Sequence, residues 1–264
     1  MLKGICKLSV IPARSEPSSK SEMVTQLLFG ETYTILEERE DWVKIKTDSD
    51  NYEAWISHNQ FETWDELSGN KLILSTFPFA MAKELSSNTP VYLLPGSILH
   101  QHYYSDEHSF FKINHSVYQI LMHQNIIDKE NSLSMRSWSH LFLNTPYLWG
   151  GRTFLGIDCS GFTQLLYQLK GIQIPRDAYQ QADLGEFVFF LNQSQEGDLA
   201  FFVNDFDKIT HVGFLLGDGK IIHASGKVRI DTIDSHGIFD EAKGKHTHTL
   251  KCIKRILPQT NRVD

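Results

Sequence analysis

The chain has 264 residues, 41% of them hydrophobic and 22% charged, and a formal net charge of -7 at pH 7. That length exceeds one compact core and implies two or three domains of an ordinary globular protein. The negative balance argues against a nucleic-acid binder, which would carry a basic face, and the chain has no stretch of about 18 apolar residues, so no membrane span is expected.

In chain order, the first segment to read is residues 5–65, a series of short strands punctuated by turns. LLFGETYTILEE offers a strand, a Gly-Glu turn and a second strand, and WVKIK (Trp42–Lys46) alternates apolar and polar. A turn over Asp48–Asn51 leads into the alternating YEAWIS. Strands at this spacing suggest a small barrel. Residues 70–127 repeat the theme without an exact repeat. KLILSTFPFAMA is broken by Pro78, and TPVYLLPGSIL and SFFKINHSVYQI each read as strands. A second small β-barrel is expected there.

After about residue 130 the period changes. SLSMRSWSHLFLN has helical spacing, with Met135, Trp138, Leu141 and Phe142 on one face and Ser132 or Ser134 as the cap. A glycine-rich loop, YLWGGRTFLGID, precedes Cys159. SGFTQLLYQLKG is helical again, with a Phe162, Leu165, Leu166, Leu169 stripe and Gly171 as the C-cap. GDLAFFV, HVGFLLGDGKIIHAS and KCIKRIL then alternate like strands. The fold class expected is α+β, with two small β-barrels ahead of a helix-then-antiparallel-sheet domain.

The cysteines are Cys6, Cys159 and Cys252, an odd and low count that implies no disulfide framework. A Cys6–Cys252 bridge is conceivable, but no feature of the sequence supports it. The N-terminal stretch has no apolar run long enough for a secretory signal, and Pro12 and charged residues interrupt it. A cytoplasmic protein is therefore expected, or a periplasmic or secreted one if the chain is a trimmed piece.

Cys159 stands at the predicted start of its helix. Free N–H groups and the helix dipole there favour an anion, so a thiol with a lowered pKa is expected. The same N–H groups suit a developing oxyanion. A cysteine nucleophile needs a base. His211 begins one predicted strand and His223 ends the next, with a turn at Gly217–Gly219 between them, so hairpin pairing brings both to one end of the sheet. One imidazole takes the thiol proton and the second orients it, the generalised triad. Zinc on Cys159, His211 and His223 is the rival reading. Neither CxxC nor HExxH accompanies them, and HTH at His246–His248 reads as a solvated loop, so no metal is expected.

PYLWGG, DCSGF, IPRDAYQQ, GDLAFF, HVGFLL and IIHAS, in this order from about Ser134 onward, resemble the NlpC-type bacterial cell-wall cysteine peptidases, a branch of the papain-like fold. IPARSEPS, SEMVTQLLFGE and YEAWIS resemble the bacterial SH3-like domains that precede that unit. The resemblance implies SH3-like domains over 1–66 and 67–130 and a catalytic domain over 131–264. Within the family the likeness is to endopeptidases that cut between γ-D-Glu and an L-diamino acid in peptidoglycan-derived peptides with a free N-terminal L-Ala. Degradation or recycling of wall peptides is the role this implies. The resemblance makes Cys159 the nucleophile, His211 the base, His223 the orienting member and Tyr147 an oxyanion donor. It places Asp158, Tyr52 and Glu22 around the substrate's amine, with a helix cap the alternative for Asp158 and an ordinary strand residue the alternative for the other two. Ser160 is either a substrate contact or a first-turn helix residue, and Trp149, Arg176 and Asp177 are either at the site or in structural roles, an ion pair for the latter two. The first SH3-like domain is expected to close one end of the cleft. No cofactor is expected. An amidase or acyltransferase on the same scaffold and a muropeptide-binding module are the alternatives.

Overall fold

The computed structural model describes residues 2–65, 69–121 and 133–256. The chain divides into two compact units. One spans Met1–Ser132 together with Trp149–Thr153, and the other Leu133–Leu148 together with Phe154–Asp264. The expected domain borders at 66/67 and 130/131 and the candidate cap Ser132 lie outside the described residues.

The N-terminal unit begins with a six-stranded antiparallel sheet of β1 (Lys3–Ile5), β2 (Val10–Arg14), β3 (Met23–Leu28), β4 (Thr32–Glu38), β5 (Trp42–Thr47) and β6 (Glu53–Ser57), in the order β1-β4-β5-β6-β2-β3. Strand alternation turns Ile11, Ala13, Val43, Ile45, Ala54 and Ile56 inward onto Leu27, Tyr33 and Cys6. The unit continues with β7 (Lys71–Ile73), β8 (Ala80–Glu84), β9 (Pro90–Leu93), β10 (Ile98–His100), β11 (Tyr103–Ser105), β12 (His108–Ile113) and β13 (Ser116–Ile120). β10 pairs with β7, and the other five form a sheet ordered β11-β12-β13-β8-β9. Its core of Ala80, Ala82, Leu93, Phe111, Ile113 and Tyr118 also receives Ile5, Phe29 and Trp64 from the region of the first sheet. Gly30 marks the closest backbone approach, with φ of +80° and the Ile98 carbonyl where a Cβ would stand. A last short strand, β14 (Arg152–Thr153), belongs to this unit. The buried Arg152 guanidinium pairs with Glu31 through two bonds of 2.9 Å and donates to the Gln26 carbonyl.

The second unit contains α1 (Met135–Leu141), β15 (Gly156–Ile157), α2 (Cys159–Gln168), α3 (Ala178–Gln181), and strands β16 (Glu186–Val188), β17 (Leu199–Val203), β18 (Ile209–Gly217), β19 (Lys220–Ser225), β20 (Lys227–Ile233), β21 (Gly237–Asp240) and β22 (Lys245–Arg255). Ser134 caps α1 by accepting from the Ser137 N–H at 3.1 Å. Trp138 and Phe142 are its buried face, whereas Leu141, expected on that face, is exposed. α2 is buried on every side because it packs on β18 and β19, and Gly171 closes it at φ of +76°. The sheet order is β16-β22-β17-β18-β19-β20-β21, all antiparallel, and β22 also pairs with β21. The first half of β22 meets β21 and its second half meets β16 and β17, which closes six strands into a ring.

The molecule is more strand-rich than an even α+β mixture. Among the described residues three short α-helices and two single-turn 3-10 helices accompany twenty-two strands. The His246–His248 segment is strand, not loop, because β22 needs its full length to close the ring.

Candidate active site

α2 positions the thiol. Asp158 is extended at the N-cap, and its Oδ1 accepts from the Gly161 N–H at 2.7 Å, which starts the helix at Cys159. The Asp158 carboxylate is also held by Arg176, with Nη1 to Oδ1 at 3.0 Å and Nη2 to Oδ2 at 2.5 Å. Arg176 Nη1 donates a further bond to Ser160 Oγ at 2.9 Å. All three side chains are buried, so Asp158, Ser160 and Arg176 form one neutralised cluster beneath the start of the helix. Asp177 stands next to it in a reciprocal capping box with Gln180 at the start of α3.

Cys159 is buried at the start of α2, and the backbones of Val212 and Ser160 and the Arg176 guanidinium favour its thiolate less than burial and Asp158 oppose it. The helix that starts at Cys159 packs on β18, the strand that carries His211. The lowered thiol pKa expected from the helix start is overturned: burial first, then the Asp158 carboxylate, pushes the thiol up to about 12. Tyr147 is anchored by its N–H to the Gly226 carbonyl at 3.0 Å and by a bridge to Ile157. Burial and the proximity of Cys159 and Asp158 raise its phenol well above the usual value, so it stays protonated and able to donate.

β18 and β19 bring the two histidines together. Phe214 faces Ile222 and Leu215 faces Ile221, so His211 and His223 lie diagonally on one face. His211 Nε2 is 2.8 Å from His223 Nδ1, and both rings are buried. A Cβ at Gly213, between them in the register, would stand 3.0 Å from the His223 Cβ and 2.6 Å from Ile221 Cδ1, so only glycine fits there without displacement. Burial, then His223 and His248, holds His211 well below the ordinary histidine range, and it is a neutral base at physiological pH.

Two partners of this pair were not found by sequence reasoning. Asp231 Oδ2 is 2.9 Å from His223 Nε2, and its Oδ1 accepts from Arg229 Nη2 at 2.7 Å. Arg229 Nη1 reaches Asp240 at 3.2 Å. His248 stacks on His211 with centroids 4.3 Å apart, and burial lowers it to about 4. The one sequence signal for Asp231 is a carboxylate in the alternation KVRIDTI, which is meaningful only once β20 is paired with β19.

The remaining expected residues lie in the N-terminal unit. Glu22 accepts from the exposed Trp149 indole N–H, so those two are brought together. Tyr52 is half-buried against the first barrel core, and its N–H is bonded to Thr47 Oγ1 at 2.8 Å. The rival zinc set is not convergent, because His211 and His223 point ring nitrogens at each other and the far nitrogen of His223 at Asp231. Among the described residues, three metal-type donors do converge within 4.8 Å at Asp234, His236 and His246.

A thiol at the start of a helix packed on the strand of a neutral imidazole, which a second imidazole and a carboxylate orient, is an arrangement suited to acyl transfer. Residues 144–245 match the NlpC/P60 family, and residues 13–61 match the bacterial dipeptidyl-peptidase Sh3 domain. The region matching the Sh3 domain thus precedes the region matching the NlpC/P60 family. It is 28% identical over 254 residues to a gamma-D-glutamyl-L-lysine dipeptidyl-peptidase of Bacillus cereus, covering 86% of this chain and 75% of the relative. It is 29% identical over 214 residues to the Bacillus subtilis protein of the same name, covering 76% and 71%. Dipeptidyl-peptidase 6 of Lysinibacillus sphaericus is 28% identical over 256 residues, covering 83% and 88%. The crystal structure of a NlpC/P60 family protein from Bacillus cereus shares the fold, with a TM-score of 0.82 at 22% identity over 97% of this chain and 100% of that one.

Proposed function

We propose that this protein is a cysteine peptidase that hydrolyses the bond between γ-D-Glu and an L-diamino acid in peptidoglycan-derived peptides with a free N-terminal L-Ala. The observation that carries the reading is the buried His211–His223 pair, 2.8 Å apart, on the strands against which the helix starting at Cys159 packs. The names of the two Bacillus relatives support the bond that is cut, and that of the Lysinibacillus relative supports a dipeptidyl-peptidase. We read β7–β13 as a second SH3-like domain, supported by its antiparallel sheet and its apolar core.

In the reaction the neutral thiol gives its proton to His211 as sulfur attacks the γ-carbonyl of D-Glu. The oxyanion takes hydrogen bonds from the Cys159 N–H and the Tyr147 hydroxyl. His211 then protonates the leaving amine, a thioester remains on Cys159, and water releases L-Ala-D-Glu. The Asp158–Ser160 cluster supplies the polar ground for the ammonium of L-Ala, because burying that cation without acceptors would cost several kcal/mol, about 2–7 for even a neutral polar group.

Mass spectrometry of L-Ala-γ-D-Glu-L-Lys and its meso-diaminopimelate counterpart, each beside an N-acetylated twin, tests this. Release of L-Ala-D-Glu from the free peptides alone is the expected result. Equal cutting of the acetylated twins would remove the amine site, and cutting of none would remove the substrate assignment.

A further inference from the structure

We propose that Asp231 is a positioning residue that sets the direction of the hydrogen bond between His223 and His211, and so leaves Nδ1 of His211 as the base for Cys159. A pair of neutral imidazoles joined by one hydrogen bond has two nearly equivalent directions, since each ring has one N–H and one lone pair. In one direction His211 Nε2 donates to His223 Nδ1, and His211 Nδ1 is free to accept the thiol proton. In the other, His223 donates, the His211 proton sits on Nδ1, and His211 cannot accept.

Asp231 removes the ambiguity. Burial alone would raise its carboxyl, but the bonds from His223 and Arg229 outweigh burial and hold it below the usual range, so it is an acceptor only. Its Oδ2 lies 2.9 Å from His223 Nε2, which must therefore carry the ring proton. In a neutral His223 ring, Nδ1 is then an acceptor, and the 2.8 Å contact places the proton on His211 Nε2. Arg229 stands directly across from His223 in the β19–β20 register. It holds Oδ1 at 2.7 Å, which aims Oδ2 at the ring, and its other nitrogen is tied to Asp240 of β21. His248 of β22 faces both rings, stacked on His211 and edge-on to His223 with centroids 5.6 Å apart. Its lowered pKa keeps it neutral, so it does not compete for the direction of the bond.

The catalytic consequence rests on the peptidase reading, whereas the tautomer does not. The test is long-range 1H–15N correlation spectroscopy of the histidine rings at neutral pH, in the wild-type protein and in Asp231→Asn, with kcat, KM and the pH profile for the tripeptide. Wild-type His223 and His211 are both expected to carry the proton on Nε2. Asp231→Asn, whose amide can donate as well as accept, is expected to populate the opposite tautomers. It should lower kcat about tenfold to a hundredfold, the scale seen when an outer partner of a histidine is lost, with KM little changed. A wild-type His223 protonated on Nδ1 with Nε2 bare overturns the proposal, and so does a variant that loses kcat with unchanged tautomers. If Asp231→Asn does not fold, the wild-type spectrum alone decides. If the wild type cuts no peptide, the peptidase reading fails while the spectrum still judges Asp231.

Discussion

At Cys159 two opposing effects meet, and their sizes decide the state of the thiol. A helix N-terminus contributes about 0.3–1 kcal/mol, up to about 2, to an anion, roughly one pKa unit. Full burial moves a pKa by up to about 3–5 units. Burial wins, and the thiol at about 12 is protonated at neutral pH. Iodoacetamide should therefore alkylate Cys159 slowly at pH 7, with a rate still climbing above pH 9; a plateau between pH 5 and 8 would show a preformed thiolate instead. His211, held below the ordinary range, needs no deprotonation near neutrality. The acidic limb of kcat/KM should accordingly fall below pH 6.5. Tyr147→Phe removes the proposed oxyanion donor and should cost about 10²–10³ in kcat with KM near wild type; unchanged kcat would take the phenol out of the site.

Among the elements, the β18–β19 hairpin and the start of α2 do the positioning. Gly213→Ala places a methyl against Ile221 and the His223 Cβ, and a shift of about 1 Å in a catalytic ring can cost on the order of 10²-fold. Loss of kcat is the expected outcome, together with an unfolding midpoint lowered by overpacking of about 1–3 kcal/mol; wild-type kcat would contradict it. Arg176→Ala leaves the buried Asp158 carboxylate without its ion pair and should destabilise by about 3–5 kcal/mol in urea unfolding. The hairpin and the helix start were legible in the sequence because each is local: a turn of three residues joins the two histidines' strands, and an N-cap adjoins Cys159. Asp231 and His248 were not, since their meeting with His223 and His211 needs the register of β20 and the return of β22 across the sheet. The state of the thiol was illegible for a related reason, because burial belongs to the folded molecule and not to the motif.

For the whole molecule, the shifted groups define a pH window of stability. His211 and His248 have folded pKa values below the unfolded value of about 6.5. The unfolded chain then binds more protons, and stability falls as pH drops through about 6.5. Asp231, also lowered, adds a loss at still lower pH. Cys159 and Cys6 are raised by burial, so the unfolded chain ionises first and stability falls above about 8.5. The urea midpoint should be highest between about pH 6.5 and 8.5 and lower at pH 5 and pH 10; a midpoint that rises at pH 5 would contradict the buried neutral histidines. The strand-rich architecture was only partly legible, because short strands such as β16 and β21 have too few residues for alternation to stand out. The central claim is that Cys159 carries the chemistry. The measurement that tests it most directly is turnover of L-Ala-γ-D-Glu-L-Lys by the wild type and by Cys159→Ala, both verified as folded. Release of L-Ala-D-Glu by the wild type and none by the variant is predicted, and comparable release by Cys159→Ala would contradict the account.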